Sequence, residues 1–185
     1  MKQYYRTKYT SPLGAITLIS DEESLCGLWF AGQKYEGTGF EEAELLDRGD
    51  EPPILRLTKE WLDRYFAKTT TELASRPMVN IKLPLRPQGT EFQQLVWHFL
   101  QQVPYGSVTT YGKLAAQVAC AMGLERMSAQ AVGGAVGRNP ISLIIPCHRV
   151  VGCRQRLTGY AGGLERKQWL LEHERKNLLH AKLQE

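Results

Sequence analysis

Residues 144–150 read Ile144-Ile145-Pro146-Cys147-His148-Arg149-Val150 and continue an apolar run that begins at residue 141. A purely structural strand is not expected to end in a thiol, an imidazole and a guanidinium at three successive positions. The thiolate is the nucleophilic form of cysteine, and a neighbouring imidazole or cation stabilises it. An isolated cysteine is more often a small buried apolar residue, but these neighbours predict a reactive Cys147 with a lowered pKa.

The order of these side chains limits how they can interact. In an extended segment successive side chains point to opposite faces, so His148 cannot simply face Cys147. Two arrangements remain open. Either the chain turns at Pro146, or the proton leaves the sulfur through one bridging water.

Length and composition describe an ordinary globular protein. The chain has 185 residues, 43% of them hydrophobic, which is enough for one large domain or two small ones. The sequence has no signal-peptide core and no run near the ~20 apolar residues of a membrane span. Its four cysteines form no C-x-x-C pair, and its four histidines complete no zinc pattern. We therefore expect a cytoplasmic protein with free thiols, no metal, no cofactor and no membrane contact.

Charge differs between the two halves of the chain. Residues 1–88 hold 12 Lys and Arg against 13 Asp and Glu, a balance of −1, whereas residues 89–185 hold 11 against 6, a balance of +5. A basic half is compatible with nucleic-acid binding but is weak evidence for it alone.

The first half is expected to be an α/β scaffold. Three segments rich in aromatic and β-branched residues predict an antiparallel sheet. They are Tyr4 to Tyr9, Ala15 to Ser20 and Leu25 to Phe30. A helix that covers this sheet is predicted after Pro52-Pro53. Its apolar positions are Leu55, Leu57, Trp61, Leu62, Tyr65 and Phe66. Because no catalytic spacing occurs in residues 1–75, we assign residues 1–86 to scaffolding, with a proline-rich connector at 76–89 before a second domain, 87–185.

The second half begins with three predicted helices, each preceded by a hydroxyl residue suited to N-capping. The caps are Thr90, Thr110 and Ser128. The first helix has a full apolar stripe, formed by Phe92, Leu95, Val96, Phe99, Leu100 and Val103. The third helix, residues 129–137, holds three glycines, which together could cost ~3 kcal/mol. Close helix packing explains them more readily than approach to a DNA groove, although helix, turn and small-residue helix also outline a helix-turn-helix with a long turn at 120–127.

The remaining sequence contains one loop and one helix of interest. Residues 158–163, Thr-Gly-Tyr-Ala-Gly-Gly, either wall a flat pocket or form a flexible linker. The last helix starts at Leu164 and places Glu174 on the face of Leu164, Leu171 and Leu178. A carboxylate on a buried stripe needs a partner, and His148 is the candidate, although solvated helix ends explain most such carboxylates.

Taken together these motifs make the chain resemble the O6-alkylguanine-DNA alkyltransferases, also called methylated-DNA-protein-cysteine methyltransferases. The resemblance covers nearly the whole chain. It is carried by residues 10–14, Ala131 to Ala135, Asn139-Pro140, Pro146 to Val150, Thr158 to Gly163, and Trp169 to Leu171 with Glu174.

The resemblance implies an N-terminal α/β domain of ribonuclease-H-like shape and a mainly α, winged helix-turn-helix C-terminal domain. It implies that a monomer binds double-stranded DNA, flips out an alkylated guanine and transfers the alkyl group irreversibly from O6 to Cys147. O4-alkylthymine is implied as a further substrate. A carbon on O6 is inaccessible to a thiol while the base is stacked, which agrees with nucleotide flipping.

The resemblance also implies roles for individual residues. Glu174, His148 and a water would form the relay that makes the thiolate, and Tyr111 would donate a hydrogen bond to the guanine ring. Asn139 would tie the turn between the DNA-binding helix and the active site. The base pocket would be formed by Val150, Tyr160, Ala161 and Gly162. The DNA contacts would come from Ala129, Gln130, Gly133, Gly134 and Arg138.

One position departs from the family pattern. Relatives usually carry an arginine immediately before the Ala-Val-Gly-Gly run, where it fills the gap left by the flipped base, and here that residue is Gln130. Glutamine can wedge and donate hydrogen bonds but carries no charge, so we expect weaker flipping or weaker DNA affinity. Arg126 is a possible substitute.

Two other functions compete with alkyl transfer. A damage sensor would bind alkylated guanine without removing the group, but relatives of that kind lack the acceptor cysteine. A cysteine hydrolase would use Cys147 and His148 as a dyad, but such dyads are usually assembled from distant parts of the sequence rather than from neighbours.

Overall fold

The computed structural model describes residues 3–41, 45–46, 51–67 and 82–182. The N-terminal part contains strands β1 (Tyr4–Ser11), β2 (Gly14–Ser20), β3 (Leu25–Phe30) and β4 (Leu45–Leu46). Within the described ranges they form one sheet in the order β3-β2-β1-β4. The pairs β1–β2 and β2–β3 are antiparallel, as predicted, while β4 lies parallel to β1.

Helix α1 (Pro53–Tyr65) begins at the predicted proline, whose fixed φ suits the first turn of a helix. It lies against β2 and β3, which confirms that it covers the sheet. The buried side chains of its inner face are Ile54, Leu55, Thr58, Leu62 and Tyr65. The prediction was wrong for Leu57, which is 41% exposed because it lies off this face.

The outer edge of β3 is hydrogen-bonded to two segments that follow later in the chain, one in the predicted connector and one in the C-terminal part. Leu25 forms a parallel bridge with Leu85, and Leu28 forms one with Ile141. Residues 84–86 of the predicted connector therefore continue the sheet, whereas residues 76–81 lie outside the described part of the chain. The Ile141 bridge fixes the start of the Cys147 segment to the N-terminal sheet.

The C-terminal part contains helices α2 (Glu91–Gln101), α3 (Tyr111–Ala121) and α4 (Ala129–Gly137). All three N-caps were predicted correctly, since Thr90, Thr110 and Ser128 each accept a hydrogen bond from a backbone N–H of the first turn. The apolar stripe predicted for α2 omitted Trp97, which is buried and donates its indole N–H to the Ala135 carbonyl at 2.9 Å. This contact locks α2 to α4.

Two short strands, β5 (Thr109–Thr110) and β6 (Val150–Val151), pair in parallel in front of helix α5 (Leu164–Lys182). The predicted face of α5 was correct for Glu174, which is fully buried, but wrong for Leu164 and Leu178, which are 48% and 37% exposed. The other fully buried positions in the described part of the helix are Lys167 and Leu170. Apolar periodicity did not reveal that Lys167 is buried.

The two parts share one hydrophobic core. Leu28 of the sheet, Tyr65 of α1, Val96 of α2 and Ile145 before the thiol belong to the same buried cluster. The site described below is therefore held by side chains from both parts. No helix in the ranges that the structure describes has the length and apolarity needed to cross a membrane.

Candidate active site

Cys147 begins a 3₁₀ turn, Cys147–Arg149, directly after Pro146. The Arg149 N–H donates to the Pro146 carbonyl at 3.0 Å, so the chain does turn at this proline. Among the described residues no hydrogen bond joins the Cys147 and His148 side chains. The turn alone therefore does not couple the imidazole to the thiol, and the bridging-water arrangement stays open.

Asn139 organises the segment that precedes the thiol. Its Nδ2 donates to the Ile145 carbonyl at 2.7 Å and lies 3.1 Å from the Cys147 Sγ. Its Oδ1 accepts from the Ile141 N–H at 3.0 Å. One buried side chain thus connects the end of α4 with the sulfur and fixes the conformation between them.

The thiol does not have the lowered pKa that its neighbours in sequence predicted. Cys147 is only 4% exposed, and burial raises the pKa of its thiol above the ordinary value. The Asn139 amide, the Lys167 cation and nearby backbone N–H groups only partly offset this effect. The sulfur is therefore protonated at neutral pH, and a nucleophilic reaction needs a base.

His148 and Glu174 form a fully buried pair, with Nε2 of the imidazole 2.8 Å from Oε1 of the carboxylate. Burial lowers the pKa of His148, and Glu174 opposes this effect only in part. The imidazole is therefore neutral near pH 7. Because the carboxylate accepts the proton on Nε2, the other nitrogen, Nδ1, keeps its lone pair, and it is buried without a partner among the described residues.

Glu174 is an anion held by donors from several elements. Arg149 approaches both carboxylate oxygens, with distances of 2.9 to 3.2 Å, and the Gly106 N–H donates to Oε2 at 2.8 Å. Burial alone would raise the pKa of this carboxyl, but the contacts with His148 and Arg149 lower it to about 2. Gly106 fits here because its φ is +69° and an added Cβ would lie 2.1 Å from Leu178.

Sequence reasoning missed Tyr65 as part of this network. Its hydroxyl donates to Oε1 of Glu174 at 2.8 Å and lies 3.4 Å from Nε2 of His148. The N-terminal part thus supplies one donor to the buried pair. Tyr65 had been predicted only as an apolar position of α1, and no spacing in the sequence links it to residue 174.

A cavity of about 570 Å³ opens beside the thiol. The candidate reaction residues on its wall are Tyr111, Cys147, Tyr160 and Ala161. The candidate DNA residues on its wall are Ala129, Gln130, Gly133, Gly134 and Arg138. The structure therefore brings nine of the predicted site residues to the wall of one cavity. The volume of this cavity is within the size range of ligand pockets.

The other predicted residues lie behind or beside this wall. Asn139, His148 and Glu174 are buried behind the sulfur. Val150 is also buried, and its carbonyl accepts from Lys167 Nζ at 2.6 Å, so its contact with a base edge stays a prediction. Gly162 is buried against Tyr160, whose ring lies 2.8 Å from where a Cβ would stand.

The three glycines of α4 are not explained by close helix packing. A Cβ at Gly133 or Gly134 would meet only Tyr111 or Arg138 at 3.6 Å, an ordinary contact, and at Gly137 it would meet nothing within 4 Å. All three positions instead line the cavity. Close helix packing, the explanation that composition favoured, is therefore wrong. The side of α4 that lines the cavity has no side chains at these three positions.

Lys167 is a buried cation that sequence reasoning did not identify. Its ammonium donates to the carbonyls of Val150, Thr158 and Gly159 at 2.6, 2.7 and 3.1 Å. Burial lowers its pKa to about 8, so it is still mainly charged at neutral pH. It fixes the 158–163 loop as a wall of the cavity and favours the thiolate of Cys147 electrostatically.

Two further residues on the cavity wall, Lys34 and Tyr35, belong to the N-terminal part that we had assigned to scaffolding. No motif marks them in the sequence. Arg126, the possible substitute for an arginine at position 130, lines a separate cavity of about 420 Å³ instead. Within the described ranges no group of three His, Cys, Asp or Glu side chains is placed to hold a metal ion.

The fold and the site define a two-part protein with a helix-turn-helix. Its buried cysteine lies close to this motif and is followed in the chain by a histidine that is paired with a carboxylate. A family model described as the ribonuclease-like domain of 6-O-methylguanine DNA methyltransferase matches residues 4–78. The model of the DNA binding domain of the same family matches residues 91–176. These matches confirm the predicted fold class.

Curated relatives agree with the family models. The methylated-DNA–protein-cysteine methyltransferase of Mycolicibacterium paratuberculosis is 42% identical over 175 residues, which cover 94% of this chain and 93% of the relative. That of Haemophilus influenzae is 38% identical, with 95% and 88% covered. The structure of Mycobacterium tuberculosis OGT in complex with DNA matches with a TM-score of 0.74 and 35% identity, covering 95% of this chain and 94% of that one. The chain belongs to the 6-O-methylguanine DNA methyltransferase family.

Proposed function

We propose that this protein repairs DNA by moving an alkyl group from O6 of guanine in a duplex to Cys147, once per molecule. The observation that carries the proposal is the position of the Cys147 sulfur. It lies at the wall of a cavity that the small-residue helix α4 also lines. The next residue in the chain, His148, forms a buried pair with Glu174. DNA binding is in keeping with the family and with the DNA complex of the mycobacterial neighbour.

The reaction is a single displacement at carbon. A lone pair of the sulfur forms a bond to the alkyl carbon while the bond from that carbon to O6 breaks, and its electrons remain on the guanine. The product is a thioether, which is stable, so the acceptor is not regenerated. The reaction therefore consumes one protein per lesion.

The thiol proton needs an acceptor because burial keeps the sulfur protonated. The lone pair of His148 Nδ1 can take this proton through one water, and Glu174 then stabilises the imidazolium that forms. Glu174 is suited to this role because its lowered pKa keeps it ionised at every physiological pH. The carboxylate orients the base rather than taking the proton itself.

The departing guanine needs a hydrogen-bond donor to stabilise the negative charge that develops on it. Tyr111 lines the cavity, and burial raises the pKa of its phenol, which keeps the hydroxyl protonated. This hydroxyl lies 3.4 Å from the Gly159 carbonyl, a weak contact that a base can replace. Tyr111 therefore assists departure of the base by donating to it.

The substrate must enter the cavity as a flipped nucleotide. O6 lies on the edge of a stacked pair, and extrusion costs a few kcal/mol. A volume of about 570 Å³ accommodates a purine with a small alkyl group. O4-alkylthymine, which is smaller and carries the same type of alkyl-oxygen bond, is a second substrate. We further propose that the protein acts as a monomer in the cytoplasm, where its exposed thiols Cys120 and Cys153 stay reduced.

The test is an intact-mass measurement after incubation with a duplex oligonucleotide that contains O6-methylguanine. We expect a stoichiometric gain of one methylene, mapped to the Cys147 peptide and absent in Cys147→Ser. Cys153→Ser, which removes an exposed thiol, is the matched control and should gain the full mass. Binding without any mass change would instead favour a damage sensor. The absence of both binding and transfer would overturn the proposal.

A further inference from the structure

The N-terminal loop of residues 31–40 forms part of the cavity rim. Its Lys34 N–H donates at 3.1 Å to the carbonyl of Ala161, which belongs to the loop of residues 158–163. The adjacent Gln33 is buried, and its Oε1 accepts from the Ser142 hydroxyl at 3.1 Å and from the Phe30 N–H at 3.2 Å. The loop is thus attached at Gln33 and at Lys34 to elements that form the active site.

Tyr35 is held in an unusual conformation at this rim. Its φ is +68°, in the left-handed region that few residues other than glycine adopt. Such a conformation persists where surrounding contacts enforce it, and it occurs often at functional sites. Here it places the phenol ring beside two cations, with Lys34 Nζ 4.9 Å and the Arg138 guanidinium carbon 5.2 Å from its centre.

Within the described residues the two cations are not neutralised by carboxylates. In the ranges that the structure describes, neither Lys34 nor Arg138 takes part in an ion pair. Glu36, the one acid in the loop of residues 31–40, is turned to other partners, accepting from the Thr17 hydroxyl and the Gly32 N–H at 2.9 Å each. Two exposed cations that share one aromatic ring create a local site for an anion.

The position of this pair identifies the anion. Arg138 caps the C-terminal end of α4, the helix that lines the cavity with Gln130 and Gly134, and Lys34 lies on the same cavity wall. A nucleotide that enters this cavity brings its own backbone to the rim. The anions delivered there are phosphodiesters.

We propose that Lys34 and Arg138, brought together by Tyr35, bind a backbone phosphate of the DNA strand that carries the flipped nucleotide. The N-terminal part of the chain then takes part directly in DNA binding. The added cation from Lys34 offsets the charge that is lacking at Gln130. This proposal rests on the proposed function, since it takes the cavity as the site of a flipped base.

Salt dependence of binding tests the proposal, because each phosphate contact with duplex DNA contributes about 0.9 to the slope of log K against log salt concentration. Binding of a duplex with O6-methylguanine is measured at several salt concentrations in the Cys147→Ser background, which prevents transfer. Lys34→Gln and Arg138→Gln should each reduce the slope by about 0.9 and weaken binding about 3- to 10-fold at ~0.1 M salt. The control is Lys176→Gln, which removes an exposed lysine of α5 away from the cavity and should change neither value.

A purely structural role for Lys34 predicts a different result. If the lysine only stacks on Tyr35, Lys34→Gln lowers the thermal midpoint and leaves the salt slope at the wild-type value, and this outcome overturns the proposal. The two proposals fail separately. Absence of methyl transfer to Cys147 in the otherwise unaltered protein removes the proposed function, whereas normal transfer with an unchanged slope in Lys34→Gln removes only the phosphate site.

Discussion

The Nε2 atom of His148 lies 2.8 Å from Oε1 of Glu174, and neither side chain is exposed to solvent. The two residues are 26 positions apart in the chain, on the 3₁₀ turn after Pro146 and on the middle of α5. Their contact fixes the proton on one imidazole nitrogen and leaves the other free to act as a base.

Glu174→Gln should abolish most of the transfer activity. The amide keeps the shape but loses the charge that stabilises the imidazolium, and it leaves the buried Arg149 without its counter-ion. We expect the single-turnover rate to fall about 100-fold and the free energy of unfolding to fall by about 3–5 kcal/mol. Glu172→Gln, an exposed carboxylate on the same helix, should retain both values, and a similar loss there would contradict the assignment.

Glu174 should also dominate the acid sensitivity of the fold. Its pKa is about 2 in the folded protein against 4.5 for a glutamate in the unfolded chain, so its stabilising contribution is complete above pH 4.5 and is lost as pH falls towards 2. A shift of this size corresponds to about 3 kcal/mol. Urea unfolding at pH 5 and pH 3 should show about 2 kcal/mol of this loss in the wild type and a smaller loss in Glu174→Gln. Equal losses of stability in the wild type and in Glu174→Gln would show that Glu174 does not dominate the acid sensitivity of the fold.

The pH dependence of transfer should distinguish a base relay from direct ionisation of the thiol. Because burial lowers the pKa of His148 and raises that of Cys147, the wild-type rate should be nearly constant between pH 6 and 7, below the pKa of about 8 of Lys167. In His148→Gln only the ionised fraction of the thiol reacts, so the rate should increase about tenfold per pH unit. A wild-type profile with the same steep slope would exclude His148 as the base.

Lys167→Met should destabilise the cavity wall and lower the reactivity of the Cys147 thiol. Three carbonyls lose their donor, which should lower the free energy of unfolding by about 2–3 kcal/mol. Loss of the cation also removes an interaction that favours the thiolate, so alkylation of Cys147 by iodoacetamide at pH 8 should slow. Lys176→Met on the exposed face of α5 serves as the control and should behave as wild type.

Gln130→Arg should strengthen DNA binding and speed transfer. Gln130 is exposed on the first turn of α4 and lines the cavity, so an arginine there adds a charge next to the flipped base. We expect about 3- to 10-fold tighter binding and a salt slope larger by about 0.9 if the arginine contacts a phosphate. Affinity and single-turnover rate that both stay unchanged would show that position 130 does not limit flipping.

Local structure was predictable from the sequence because it depends on neighbouring residues. The three N-caps and the strands of the antiparallel sheet were placed correctly from hydroxyl residues, β-branched runs and turn residues. Errors arose where a local pattern was ambiguous. The apolar residues of α5 correctly suggested that Glu174 is buried, but they also suggested burial of Leu164 and Leu178, which are exposed, and gave no sign of buried Lys167, whose partners lie on other elements.

The sequence by itself determined the candidate nucleophile, the adjacent candidate base and the helices that surround them, because short local motifs encode those features. Only the tertiary structure decided the ionisation of the site. Burial reverses the pKa shift predicted for Cys147, and Tyr65, which is 109 positions from Glu174, completes the carboxylate network. It also brought Lys34 and Tyr35 to the cavity. Desolvation and long-range contacts depend on which distant segments exclude water from the same atoms, and no local pattern records that.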